Sequence, residues 1–161
     1  MKTLYYLSIL LICVVQLGCE NEEYESIYGL LVDFRVNIAS FDNDLTAALS
    51  TKTFTSPRAG SPYIGFGGLL VIRSPYPRAG NTNLLDLYAY DLACPNEKRR
   101  DVKVEADNNG KAICKQCGSV FNIMESKGNV ESGPAKENLV RYPVYFRANE
   151  QGTVFHIYAN Y

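Results

Sequence analysis

"ACPNEKRRDVKVEADNNGKAICKQCGSVFNI", residues 93–123, holds three cysteines on either side of a turn. "DVKV" alternates polar and apolar residues, Asn109 and Gly110 form the dipeptide that two-residue hairpins favour, and "KAIC" returns. Cys94, Cys114 and Cys117 therefore stand at strand ends or in a tight turn. Cys-x-x-Cys followed by Gly118 reads as a knuckle, whose turned backbone can aim amides at sulfur and stabilise thiolates.

Working outward, the rest of the body also reads as strands. "GLLVDFRVNI" sets Val32, Phe34, Val36 and Ile38 against Asp33, Arg35 and Asn37, a strand with one wet face. "PYIGFGGLLVIR" runs into a continuous apolar stretch suited to a strand covered on both sides. "LLDLYAYDLAC" follows as another strand, and "LVRYPVYFR" with "TVFHIYANY" closes the chain as a hairpin. "STKTFTSPRAGSP" and "RSPYPRAGNTN" read as loops from their Pro, Gly, Ser and Asn content, and a short helix fits "DNDLTAAL". About eight strands without βαβ spacing give an all-β antiparallel sandwich or small barrel.

At the N-terminus one Lys precedes an apolar run from Leu4 to Val15, too short to span a bilayer and ordered like a secretory signal. It ends in "QLGC", which resembles a lipobox, although Gln16 stands where Leu is usual. Residues 1–18 are thus expected to be a lipoprotein signal, with Cys19 lipidated and holding the protein to a membrane. Residues 19–27 include four glutamates and no basic residue, so they read as a solvated acidic tether. Glutamates after the lipidated cysteine also resemble the surface-export signal of some Gram-negative lipoproteins. The expected location is the cell envelope, on the periplasmic or surface face of the outer membrane, with an envelope protein as a possible partner.

From Tyr28 onward the chain holds 15 basic and 13 acidic residues. Such near-neutrality, with Lys98–Arg100 as its one basic cluster, argues against a nucleic-acid partner. "GFGG" at Gly65–Gly68 has no following helix to hold a phosphate and reads as a bulge entering a buried strand. No nucleophile elbow is present, and His156 falls within a strand pattern. Twelve tyrosines and seven phenylalanines could offer a sugar-stacking or partner surface, though core and cross-strand pairing explains aromatic strands more simply.

"YAYDLACPNE", "AICKQCGSVFNI" and "GNVESGPAKENLVRYPVYF", taken in order, resemble the Rieske iron–sulfur domain over residues 62–161. The resemblance implies a Rieske-like β domain over residues 28–161, with a cluster-binding-like hairpin-loop subdomain at about 92–136 and a site-covering loop at Gly133 and Pro134. It places Cys94 and Cys114 at the two family cysteines. The two histidine positions, however, hold Asn96 and Cys117, which removes the ligands that raise such a cluster's potential.

Three fates of the thiols stay open. They could hold a 2Fe–2S cluster with altered ligation, aided by Asn96 or Glu97, giving a low-potential electron carrier. They could hold a structural zinc ion. Or they could hold no cofactor, with two thiols paired and one free in an oxidising compartment. The metal-free reading is preferred on sequence grounds, in a non-catalytic binding or structural module. Thioredoxin-like chemistry is disfavoured because its Cys-x-x-Cys begins a helix.

Overall fold

Val32, Phe34 and Val36 are buried in β1 (Val32–Asn37) while Arg35 is exposed, so the alternation in the sequence becomes the two faces of a strand. The computed structural model describes residues 30–125, 127–146 and 153–160. The expected signal, Cys19 and the tether lie outside them. Antiparallel to β1 runs β12 (Val154–Ala159), with Val32 opposite Ala159 and Asn37 opposite Val154. Beyond β12 lies β11 (Val144–Phe146), and on the other edge of β1 lies β3 (Tyr63–Ile64).

Past β3 the edge of β1 is finished by side chains. Ser61 Oγ accepts the Arg35 N–H at 2.9 Å, and the Arg58 guanidinium donates to the Arg35 carbonyl. Arg58 also pairs with Asp42 at 2.8 Å and lies over the Phe34 ring at 4.4 Å.

A second sheet runs in the order β10 (Arg141–Tyr142), β5 (Asn81–Asp91), β4 (Leu69–Arg78), β2 (Thr51–Phe54). A third is β6 (Val104–Ala106), β7 (Lys111–Cys114), β8 (Val120–Asn122), β9 (Asn129–Ser132). The second sheet is the middle layer. Leu69 and Val71 join Phe34, Phe155 and Ile157 in one core, while Leu70 and Ile72 join Tyr90, Leu92 and Phe121 in another. The apolar run of β4 thus follows from burial on both faces, each large side chain contributing about 1.5–3 kcal/mol.

The fold is all-β, as expected, but three antiparallel sheets replace any closed barrel. Twelve strands are found among the described residues rather than about eight. The expected loop at residues 50–62 contains β2, whose Thr51–Phe54 pairs with Ile72–Leu69. Pairing with the long β4 outweighs the turn-rich composition. The expected loop at residues 73–83 is instead the tip of the β4–β5 hairpin, with Arg78 opposite Asn81. Pro75 and Pro77 are accommodated because the ladder register shifts between Arg73 and Pro77, where no proline N–H is required. The helix expected near residues 42–49 is one 3-10 turn, Asn43–Leu45, held by buried Leu45 and by the Asp42 carboxylate accepting the Asn37 N–H at 2.8 Å.

"GFGG" leads into β4 around a buried carboxylate. Asp91 accepts the N–H groups of Phe66 (2.7 Å), Gly67 (2.9 Å) and Ala93 (2.8 Å) and the Tyr142 hydroxyl (2.7 Å). A Cβ at Gly65, where φ is +78°, would collide with the Tyr142 hydroxyl. Glycine there lets the chain reach the carboxylate. This network fixes the end of β5, just beyond which Cys94 lies.

Candidate metal centre

Cys94 sits just beyond β5. Its N–H bonds the Val102 carbonyl at 2.9 Å, and its own carbonyl accepts the N–H groups of Glu97 (3.2 Å) and Lys98 (3.0 Å), forming a tight turn. Cys114 ends β7. Its N–H bonds the Ser119 carbonyl at 2.9 Å and its carbonyl accepts the Gly118 N–H at 2.8 Å, so the Cys-x-x-Cys segment folds into a closed loop. Gly118 sits at φ +75°, the left-handed conformation the knuckle requires.

These two turns bring all three sulfurs within 4.8 Å of one another. Cys94 and Cys114 are fully buried, Cys117 half-buried, and all three are free thiols. The Sγ atoms of Cys94 and Cys117 are 3.7 Å apart. Metal–sulfur bonds of about 2.3 Å at the tetrahedral angle separate two sulfurs by about 3.8 Å. The Cys94–Cys117 pair therefore has the spacing of two ligands on a single ion, and Cys114 lies close enough to be a third.

Electrostatics divides the thiols. Burial pushes the Cys94 thiol up to about 12, only partly offset by the Glu97 and Asn96 amides that favour its thiolate. Burial also raises Cys117, but the Ser119 hydroxyl and amide, with the thiols of Cys114 and Cys94, outweigh it and hold Cys117 below the ordinary thiol value. Charging Cys94 and Cys117 together favours a cation between them, because like charges 3.7 Å apart repel.

Ser119, given no role on sequence grounds, ties the site together. Its Oγ is hydrogen-bonded to Cys117 Sγ at 3.2 Å and accepts the Ala135 N–H at 3.0 Å. Ala135 follows Gly133 and Pro134, so the serine joins the knuckle to the loop beside it. Gly133 packs so tightly that a Cβ there would come within 2.5 Å of Ser119 Cα. Pro134 and Asn96 flank a hollow of about 230 Å3. The sequence signal for Ser119 is its place directly after Cys-x-x-Cys-Gly.

Glu97 is not gathered with the sulfurs. Asn96 is exposed and donates to Glu97 Oε1 at 2.9 Å, while Gln116 donates to Glu97 Oε2 at 3.2 Å. His156 lies in β12, with Nε2 2.7 Å from Asp33 Oδ1, in a different sheet from the knuckle. The donor set of a histidine-ligated 2Fe–2S centre is thus not assembled. A carboxamide turned to solvent does not replace imidazole, and three sulfurs around one point suit one ion better than two bridged irons. The arrangement suits a borderline-soft divalent ion with its fourth position open to water or a swung carboxylate.

The basic cluster is dispersed. Arg99 pairs with Asp101 at 2.8 Å, Lys98 reaches Glu137 at 3.5 Å, and Arg100 donates to the Phe66 carbonyl at 3.1 Å while covering its ring. No protein-family model matches the chain, and no match is found among curated proteins.

Proposed function

We propose that the chain is an exported, lipid-anchored module of Rieske-like scaffold in which the cluster site has become a mononuclear, thiolate-rich metal knuckle. Its role is that of a non-catalytic binding or structural component of the cell envelope. The observation that carries this reading is the convergence of Cys94, Cys114 and Cys117, held by backbone bonds from two separate turns. A zinc ion fits best, because it accepts three thiolates with water or a carboxylate and needs no redox partner. Glu97, in the turn that follows Cys94, would complete the set on releasing Asn96 and Gln116. The ion would pin the end of β5 to the β7–β8 hairpin, so its binding energy would add to folding energy.

Metal content per chain tests this on full-length protein purified without oxygen, chelator or nickel resin. About one zinc per chain, with chelator lowering the melting temperature, is expected, and Cys117→Ser should lose most of the metal. Two irons per chain with visible absorbance would instead establish the electron-transfer reading. Absence of any metal, with unchanged melting in chelator, would reject both and leave the metal-free scaffold.

Anchoring rests on the short apolar segment and the "LGC" stretch that ends it. A fatty-acid probe should label the wild type, and a Cys19→Ser protein that kept the label would overturn it.

A further inference from the structure

The outer face of the first sheet ends in a pocket of about 520 Å3, within the range of small-ligand sites. Arg35, Asn37 and His156 form its floor, and Phe41 with the 58–61 turn forms its walls. Its polar groups are mostly unspent donors. Asn37 uses Oδ1 to accept the Ala39 N–H at 3.0 Å, leaving its Nδ2 protons without an acceptor among the described residues. Ser61 Oγ accepts from Arg35, leaving its hydroxyl proton without an acceptor among the described residues. Among the described residues the Arg35 guanidinium has no hydrogen-bond or ion-pair partner. The nearby carboxylates are already committed, Asp42 to Arg58 and Lys52, and Asp33 to His156. A pocket with free donors and, among the described residues, no free carboxylate selects an anion, and a guanidinium without a partner among them offers the fork that carboxylates and sulfates fit.

The aromatic residues say what carries the charge. Phe41 is 81% exposed at the pocket wall, unusual for a ring with no packing role. Register continues the pattern across the sheet. Tyr63 and Tyr158 flank Asp33, and Tyr145 stands opposite His156, each tyrosine 40–54% exposed. Flat rings alternating with hydrogen-bonding groups match a chain of sugar rings, whose C–H faces stack and whose hydroxyl edges bond.

We propose that this face binds an acidic saccharide, with its carboxylate or sulfate on Arg35 and a ring against Phe41. The site is independent of the thiol cluster and of whatever metal that cluster holds.

Calorimetry on the full-length chain in detergent tests it with three probes: tri-galacturonate, its uncharged methyl ester and a sulfated galactose trisaccharide. At least one acidic probe should bind about tenfold more tightly than the ester, with affinity falling as salt rises. The tighter acid identifies the charged group. Arg35→Gln should abolish the advantage over the ester, and Phe41→Ala, at an exposed position that leaves folding intact, should weaken acid and ester alike. Equal binding of acid and ester, no binding of any probe, or wild-type affinity in both variants would overturn the proposal.

Discussion

Asp91 shows how one side chain can organise a loop. Replacing it by Ala would leave three buried N–H groups and the Tyr142 hydroxyl without their acceptor. With each buried orphan costing about 1–3 kcal/mol, Asp91→Ala should lose about 4 kcal/mol in chemical denaturation, and Tyr142→Phe only about 1 kcal/mol. Asp42 governs acid stability. Burial raises its carboxyl, but hydrogen bonds from Arg58, the Asn37 amide and Lys52 outweigh that and hold it below 3.8. A depressed folded value means the unfolded chain binds the proton first, so this stabilisation is present above about pH 4 and lost as pH falls through the folded value. Asp42→Asn should therefore cost about 2 kcal/mol at neutral pH and flatten the stability profile below pH 4, read by urea denaturation across pH. The three cysteines were legible at this scale because their spacing is local. Ser119 was not, since its second partner, the Ala135 amide, is sixteen residues away.

The knuckle and its neighbouring loop permit a comparison of two glycines. Both have positive φ, Gly118 at +75° and Gly133 at +94°. Nothing lies within 4 Å of a Cβ at Gly118, whereas Gly133 faces the Ser119 backbone. Gly118→Ala should then cost only the left-handed penalty of about 1 kcal/mol, and Gly133→Ala about 2–3 kcal/mol because the backbone must also shift. Thermal melts of the two variants check the order. Elements with a regular face were readable from sequence: β1 from its alternation, β4 from its unbroken apolar run, and the β6–β7 hairpin from its alternation and Gly110, although its turn takes residues 108–110 between Asp107 and Lys111 rather than Asn109 and Gly110 alone. β2 was hidden, because Thr51–Phe54 is a strand only by virtue of pairing with β4. The tip of the β4–β5 hairpin was hidden by its prolines, which local composition assigns to loops. Asn96 and Glu97 could be placed near the cysteines by sequence, but the direction of their side chains depends on Gln116 across the turn.

At the scale of the molecule, β4 and β5 belong to both cores. Leu69→Ala and Leu70→Ala, on opposite faces of one strand, should each cost about 3 kcal/mol, and each should move a single unfolding transition seen alike by circular dichroism and tyrosine fluorescence. Two separated transitions would show that the layers melt independently. The assembly of strands into three sheets was beyond the sequence because its deciding pair, β1 with β12, joins the two ends of the described chain. The finish of the β1 edge by Arg58 and Ser61 bears on behaviour in a crowded environment. An open strand edge invites a second molecule to pair with it and seed aggregates. Here the N–H and C=O of Arg35 are already occupied by side chains that cannot propagate a ladder, so the protein resists self-templating at this edge without needing another strand to cover it.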